Sequence, residues 1–268
     1  MSRDSENDRL QAMAIRAIGL MDLTSLNDSD SEQTIQALCE RALTPAGPVA
    51  AVCVYPRIVT VARKSLDVLE LTGRVRLATV ANFPGGDQPL DQVIADIEQA
   101  LADGADEIDV VFPWQALLDG DIKSGETLVA ACRKACGNQL LKVILETGEL
   151  GESALIRRAA RLAIEGGADF IKTSTGKAEV NATLSAATII LEAIRENGGE
   201  NGRDVGFKAS GGIRKATEAA AYLALAEQMM GPDWVNPDHF RFGASGLLDD
   251  LLEVVNGKSS GSMTDAVY

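Results

Sequence analysis

The chain has 268 residues, 46% of them apolar and 24% charged, and a formal net charge of −14. That length fits one α/β barrel, typically about 250 residues, or two small domains. The acidic balance excludes non-specific attachment to nucleic acid or an anionic membrane, both of which would repel the chain at long range; a local basic site for one anionic group remains open.

Residues 1–10 are polar and read as a flexible lead into an N-terminal helix. They contain no apolar stretch of the kind that directs secretion, and no window of the chain approaches the ~18 apolar residues of a membrane span. A cytoplasmic protein is expected. From there, short apolar, β-branched runs recur at 20–23, 49–55, 75–83, 107–112, 140–147, 170–175, 205–210 and 240–245. Amphipathic stretches lie between them: Ile35, Leu38, Cys39 and Leu43 share one helix face, as do Val93, Ile94, Ile97 and Leu101. Ser29 with Glu32 is placed to form a capping box ahead of the first of these. Further helical periods run over 155–163, 189–194 and 222–230, and Gly104, Gly166, Gly198 and Gly231 fall where left-handed helix ends are expected. The Gly/Ser-rich stretch 257–262 opens a flexible C-terminal tail.

Eight strands alternating with helices imply right-handed crossovers and a parallel sheet closed as a (β/α)8 TIM barrel, one domain over 1–268 with flexible ends at 1–10 and 257–268. An open doubly wound sheet usually carries a glycine-rich turn after its first strand; here that place reads Asp22-Leu23-Thr24-Ser25.

In a barrel of this kind the chemistry sits at the C-terminal ends of the strands. Asp109, Lys172 and Lys208 interrupt otherwise apolar strands, and the two-residue period turns both lysines inward if their larger neighbours pack on helices. One explanation is an internal ion network. The other uses the cost of burying excess cations: desolvation and a neighbouring cation both disfavour the ammonium form, so one lysine becomes able to attack a carbonyl carbon while the carboxylate moves protons. A second constellation suits an anion. Thr175-Gly176-Lys177, Ser210-Gly211-Gly212-Ile213-Arg214 and Gly243-Ala244-Ser245-Gly246 follow three adjacent strands, where glycines let backbone N–H groups approach phosphate oxygens.

Several stretches closely resemble the class I deoxyribose-phosphate aldolases: 20–24, 52–57, 106–113, 141–150, Ala168-Asp169-Phe170-Ile171-Lys172-Thr173-Ser174-Thr175-Gly176-Lys177, 206–208 and 241–245. The likeness runs from about Ile18 to Leu252. It implies reversible cleavage of 2-deoxy-D-ribose 5-phosphate to D-glyceraldehyde 3-phosphate and acetaldehyde, with no cofactor. It also implies roles: Lys172 forms the imine, Lys208 lowers its pKa, and Asp109 is the acid/base. Asp22, Thr24, Cys53 and Thr175 would line the substrate pocket. Gly176, Lys177, Gly211, Gly212, Gly243 and Ser245 would hold the phosphate. Tyr268, the last residue, would fold back to assist proton transfer, and a homodimer is implied. Gly246 replaces a frequent second serine, Ala209-Ser210 a common Pro-Ala, and Trp114 a frequent tyrosine; the first two bear on phosphate affinity rather than on reaction type.

An isomerase or synthase acting on a phosphorylated sugar would use the same barrel without an imine. A non-catalytic phosphosugar-binding regulator is opposed by the intact Asp109, Lys172 and Lys208 set. Cys39, Cys53, Cys132 and Cys136 have no C-x-x-C spacing and His239 is the single histidine, so a metal-dependent aldolase is disfavoured and no metal is expected. Cys53 reads as a small buried residue, Cys132 and Cys136 as core packing, and the clusters 28–32 and Asp249-Asp250 as solvated helix ends.

Overall fold

The computed structural model describes residues 3–197 and 204–257. Eight parallel strands close into a barrel: β1 (Met21–Ser25), β2 (Ala51–Val54), β3 (Arg76–Ala81), β4 (Glu107–Val111), β5 (Leu140–Ile144), β6 (Phe170–Lys172), β7 (Gly206–Ser210) and β8 (Phe240–Ala244), with β8 pairing back to β1. A two-residue hairpin, Leu43–Thr44 with Gly47–Pro48, precedes β2. The expected TIM barrel is therefore present, with strands other than β1 shorter than the apolar runs; β6 ends at Lys172, short of Thr175.

Helices α1 (Arg3–Gly19), α2 (Glu32–Arg41), α3 (Val59–Val68), α4 (Leu90–Ala102), α5 (Trp114–Leu118), α6 (Ile122–Cys136), α7 (Thr147–Leu150), α8 (Ser153–Glu165), α9 (Leu184–Asn197), α10 (Ala216–Met230) and α11 (Leu247–Val255) surround the sheet. Their apolar faces and the outward residues of the strands form one continuous core, in which Phe240 meets Phe207 and Phe242 edge to face. Cys39, Cys132 and Cys136 are buried there as free thiols. None of the described helices is long and apolar enough to cross a membrane.

The expected N-terminal helix, α1, begins at Arg3, and its C-terminal half is anchored: Ala14, Ala17 and Ile18 are buried, and Arg16 donates to the carbonyls of Pro232 and Val235 while pairing with Glu227. Three expectations need correction. Ser31, not Ser29, caps α2, in a box completed by Thr34, because Asp30 is drawn inward to accept from Ser25 and from the Asn27 backbone. Gly166 is right-handed and lies against Val129, where a methyl group would collide; the left-handed stop is Gly167. Asp250 is no solvated helix end: it is 7% exposed, takes the Ala216 backbone N–H at 2.7 Å and Lys215 at 2.8 Å, and so secures the start of α10. Gly198 and the C-terminal stretch 258–268 lie outside the described residues.

Candidate active site

Barrel interiors of this type are ordinarily filled by layers of branched apolar side chains. Here the interior holds seven charged ones: Asp22 from β1, Glu107 and Asp109 from β4, Lys142 from β5, Lys172 from β6, Lys208 from β7 and Arg241 from β8, each at most 3% exposed. Isolated burial of any of them would be prohibitive, so the arrangement must be judged by its pairing.

Asp109 is the hub. Its Oδ1 accepts from Lys142 at 2.8 Å, and its Oδ2 accepts from Lys172 at 2.7 Å and from Lys208 at 2.8 Å. Lys142 also reaches Glu107 at 2.5 Å, and Lys208 also donates to Asp22. Arg241 closes the lattice, 2.7 Å from Asp22 and 3.1 Å from Glu107. Among the described residues, Lys142 pairs with three carboxylates, Asp22 being the third at 3.5 Å, and Lys208 and Arg241 each bridge two, whereas Lys172 has one, and shares that oxygen with Lys208.

Four cations face three carboxylates, so one positive charge is in surplus. Lys172 is where it is most easily shed. Burial, followed by the opposing pull of Asp109 and the repulsion of Lys208, leaves its pKa below the ordinary lysine value. For Lys208, burial works in the same direction, but Asp109 and Asp22 together outweigh it and its pKa rises. Lys142 is raised as well, with Asp109, Glu107 and Asp22 overcoming burial. Burial alone would raise the Asp109 carboxyl; Lys142, Lys172 and Lys208 hold it well below the usual carboxylate range. The lattice thus keeps an ionised carboxylate beside an amine that loses its proton readily, which is what attack on a carbonyl requires.

Above Lys172 opens a cavity of about 210 Å³, lined by Thr24, Lys172 and Thr175 and by the three glycine turns: Gly176 and Lys177, Ser210 to Arg214, and Gly243 to Gly246. Gly211 and Gly212 are both left-handed, at φ 86° and 82°, a conformation that tilts successive peptide N–H groups toward one side. Gly243 is required for a different reason. A Cβ there would stand 2.6 Å from Ser210 Oγ and 2.8 Å from Lys208 Cε, so its missing side chain is the space the lysine stem uses. Lys177 crosses the mouth and donates to the Leu26 carbonyl at 2.7 Å. A wider cleft of about 590 Å³ over Asn82, Pro113 and Asp121 touches none of the seven charged residues.

The sequence-predicted residues therefore separate into two groups. Lys172, Thr24, Thr175, Gly176, Lys177, Gly211, Gly212, Gly243 and Ser245 come together around the cavity. Asp109 and Lys208 lie in the charged lattice directly joined to Lys172. Asp22 and Cys53 do not line the cavity as expected. Asp22 is consumed by Lys208 and Arg241, and Cys53, fully buried, packs with Leu26, Ala78 and Val80, its thiol pushed up by burial. Tyr268 lies outside the described residues. Sequence reasoning missed Lys142, Glu107 and Arg241, although each also interrupts an apolar strand. No group of His, Cys, Asp and Glu among the described residues is placed to hold a metal ion, and His239 instead pairs with Asp204 at 2.7 Å.

A desolvated amine on a shared carboxylate, beneath a glycine-lined mouth suited to an anion, defines an enzyme that condenses a lysine with a carbonyl compound. The family described as DeoC/LacD family aldolase matches residues 16–252, and the chain belongs to it: it is an aldolase, a lyase of the class I type. Among solved structures, a provisionally named deoxyribose-phosphate aldolase from Toxoplasma gondii ME49 is 28% identical, with a TM-score of 0.86 over 95% of this chain and 98% of that one. A provisionally named deoxyribose-phosphate aldolase from Coccidioides immitis is 25% identical, with a TM-score of 0.76 over 94% and 98%. An aldolase called QR15 is 26% identical, with a TM-score of 0.73 over 90% and 96%.

Proposed function

We propose that the chain is a deoxyribose-phosphate aldolase, reversibly cleaving 2-deoxy-D-ribose 5-phosphate to D-glyceraldehyde 3-phosphate and acetaldehyde. The observation that carries the reading is the position of Lys172, the singly paired amine of the lattice, at the base of a cavity whose far wall is three glycine turns. Neutral Lys172 attacks the sugar aldehyde; the carbinolamine loses water and becomes an iminium. The proton of the hydroxyl on the carbon two bonds from the iminium carbon is removed, the bond from that carbon to the intervening methylene breaks, and its electron pair moves into the nitrogen-conjugated enamine. D-glyceraldehyde 3-phosphate leaves. Protonation of the enamine carbon and hydrolysis then release acetaldehyde and restore the amine.

Asp109, ionised at neutral pH, is the acid/base that takes and returns these protons through water. Lys208 keeps the neighbouring amine from holding its own proton. Gly176, Lys177, Gly211, Gly212, Gly243 and Ser245 receive the phosphate, with Thr24 and Thr175 along the sugar chain. Asp22 and Cys53 act from behind the wall, the first by fixing Lys208. Tyr268 assists protonation at the acetaldehyde carbon. One domain carries the activity, in a cytoplasmic homodimer that needs no cofactor.

Incubation with acetaldehyde and borohydride, followed by peptide mapping, tests this. A single secondary-amine adduct at Lys172, absent from Lys172→Met, together with release of acetaldehyde from 2-deoxy-D-ribose 5-phosphate, is expected. Turnover of a phosphosugar that survives in Lys172→Met would favour an isomerase or synthase without an imine.

A further inference from the structure

Glu146 is a buried carboxylate that the reaction above does not use. It lies two residues beyond β5 in a left-handed conformation, φ 57° and ψ 60°, rare for a residue with a long side chain. The hydrogen bonds around it explain the shape. Leu145 N donates to Lys172 O at 2.9 Å and Thr147 N to Thr173 O at 3.0 Å, so two residues of the β5 side advance against one on the β6 side. Glu146 is the extra residue of a bulge, a device that re-aims a side chain next to a site. It is aimed at Thr175. Both carboxylate oxygens stand 3.3 Å from Thr175 N, and one of them accepts the Thr175 hydroxyl.

A threonine hydroxyl has one hydrogen and two lone pairs. The hydrogen of Thr175 is given to Glu146, and one lone pair takes the Lys177 backbone N–H at 3.0 Å. One lone pair remains, on a residue that forms part of the cavity wall between Lys172 and the Gly176 turn. We infer that Glu146 is a positioning residue that fixes the hydrogen-bond polarity of Thr175, so that the cavity selects a hydrogen-bond donor on the substrate carbon between the reacting carbon and the phosphate. A free hydroxyl satisfies that lone pair, and a group of similar size that only accepts leaves it facing another acceptor. The inference rests on the proposed aldolase reaction, which supplies such a hydroxyl in D-glyceraldehyde 3-phosphate.

The test compares acetaldehyde addition, at pH 8, to D-glyceraldehyde 3-phosphate and to the aldehyde in which fluorine replaces its hydroxyl. Taking the ratio of kcat/KM within each enzyme and comparing ratios between enzymes cancels the intrinsic reactivity of the fluoroaldehyde. Relative to Glu146→Leu, the parent should favour the hydroxyl by about tenfold, the scale of one hydrogen bond. Glu146→Leu frees the Thr175 hydrogen to point into the cavity, whereas Glu146→Gln retains an accepting oxygen and should restore most of the preference. Equal ratios in the parent and Glu146→Leu overturn the inference while leaving the aldolase reading intact. A parent that forms no acetaldehyde adduct on Lys172 overturns both. If the leucine variant does not fold, Thr175→Val carries the test: the preference should fall about tenfold from the parent's, and an unchanged preference contradicts the assignment.

Discussion

At the floor of the barrel, Asp109 and the three lysines around it are buried, only Lys172 reaching the cavity, while at the mouth Lys177 and Ser245 stand exposed among glycine turns. The two regions use charge differently. On the floor, low dielectric makes every pairing count, and the imbalance of four cations against three carboxylates bears on Lys172, whose pKa burial and Lys208 lower against the pull of Asp109. At the mouth, solvent screens the charges and recognition falls to backbone groups whose direction the glycines set. The proposed reaction puts reactivity in the floor and affinity in the mouth, and substitutions should separate them.

The largest effect should come from the floor. Lys172→Met should lower kcat by at least about 10³-fold, because no other amine of the buried lattice has so little carboxylate support. Chemical denaturation of the same variant should show no loss of stability, since three cations then match three carboxylates. Lys142→Met leaves the same count but removes the partner shared by Asp22, Glu107 and Asp109, and should cost about 3–5 kcal/mol of unfolding free energy. A milder change enters where floor and mouth meet. Gly243→Ala places a methyl group against Lys208 and Ser210, and should destabilise by about 1–3 kcal/mol with a lowered kcat. Smallest is Lys177→Ala at the mouth. It should raise KM for the phosphorylated aldehyde about tenfold, leave kcat nearly unchanged, and have little effect on an unphosphorylated aldehyde. A kcat loss there comparable to that of Lys172→Met would erase the distinction between the two regions.

What could be read without coordinates follows the same division. The turns at Gly176, Gly211 and Gly243 are local features, written in consecutive residues, and their neighbourhood follows from strand order. Lys172, Lys208 and Asp109 were legible because each breaks an apolar strand. Glu107 shares Asp109's face by the period of two, and Lys142 sits between Leu141 and Val143, so both gave a signal. Their meaning depended on register: Lys142 lies opposite Asp109, and Arg241 opposite Lys208, pairings that no single strand specifies. One cation is in excess in either count, but which amine carries it could be told only once the pairing across the barrel was seen. Glu146 was hidden for a further reason. Its left-handed bulge contains no glycine to mark it, and only the offset between Leu145 and Thr147 against β6 reveals it. Asp22 and Cys53 were close to the site in the chain's plan, but pairing and packing placed them behind its wall.

Because folding depresses the Lys172 pKa, the unfolded chain holds the extra proton, and this residue makes folding stability rise with pH up to the ordinary lysine value of about 10.4. In the proposed reaction the same shift governs chemistry, since the neutral amine would be the nucleophile. The most direct measurement is the pH dependence of the initial rate of borohydride-trapped acetaldehyde adduct, followed peptide by peptide. Trapping at Lys172 alone, with a half-maximal rate below the ordinary lysine pKa, is the predicted result. Trapping that begins only near that pKa, or that falls on Lys142 or Lys208, would contradict the assignment of Lys172 as the amine that the lattice leaves free to react.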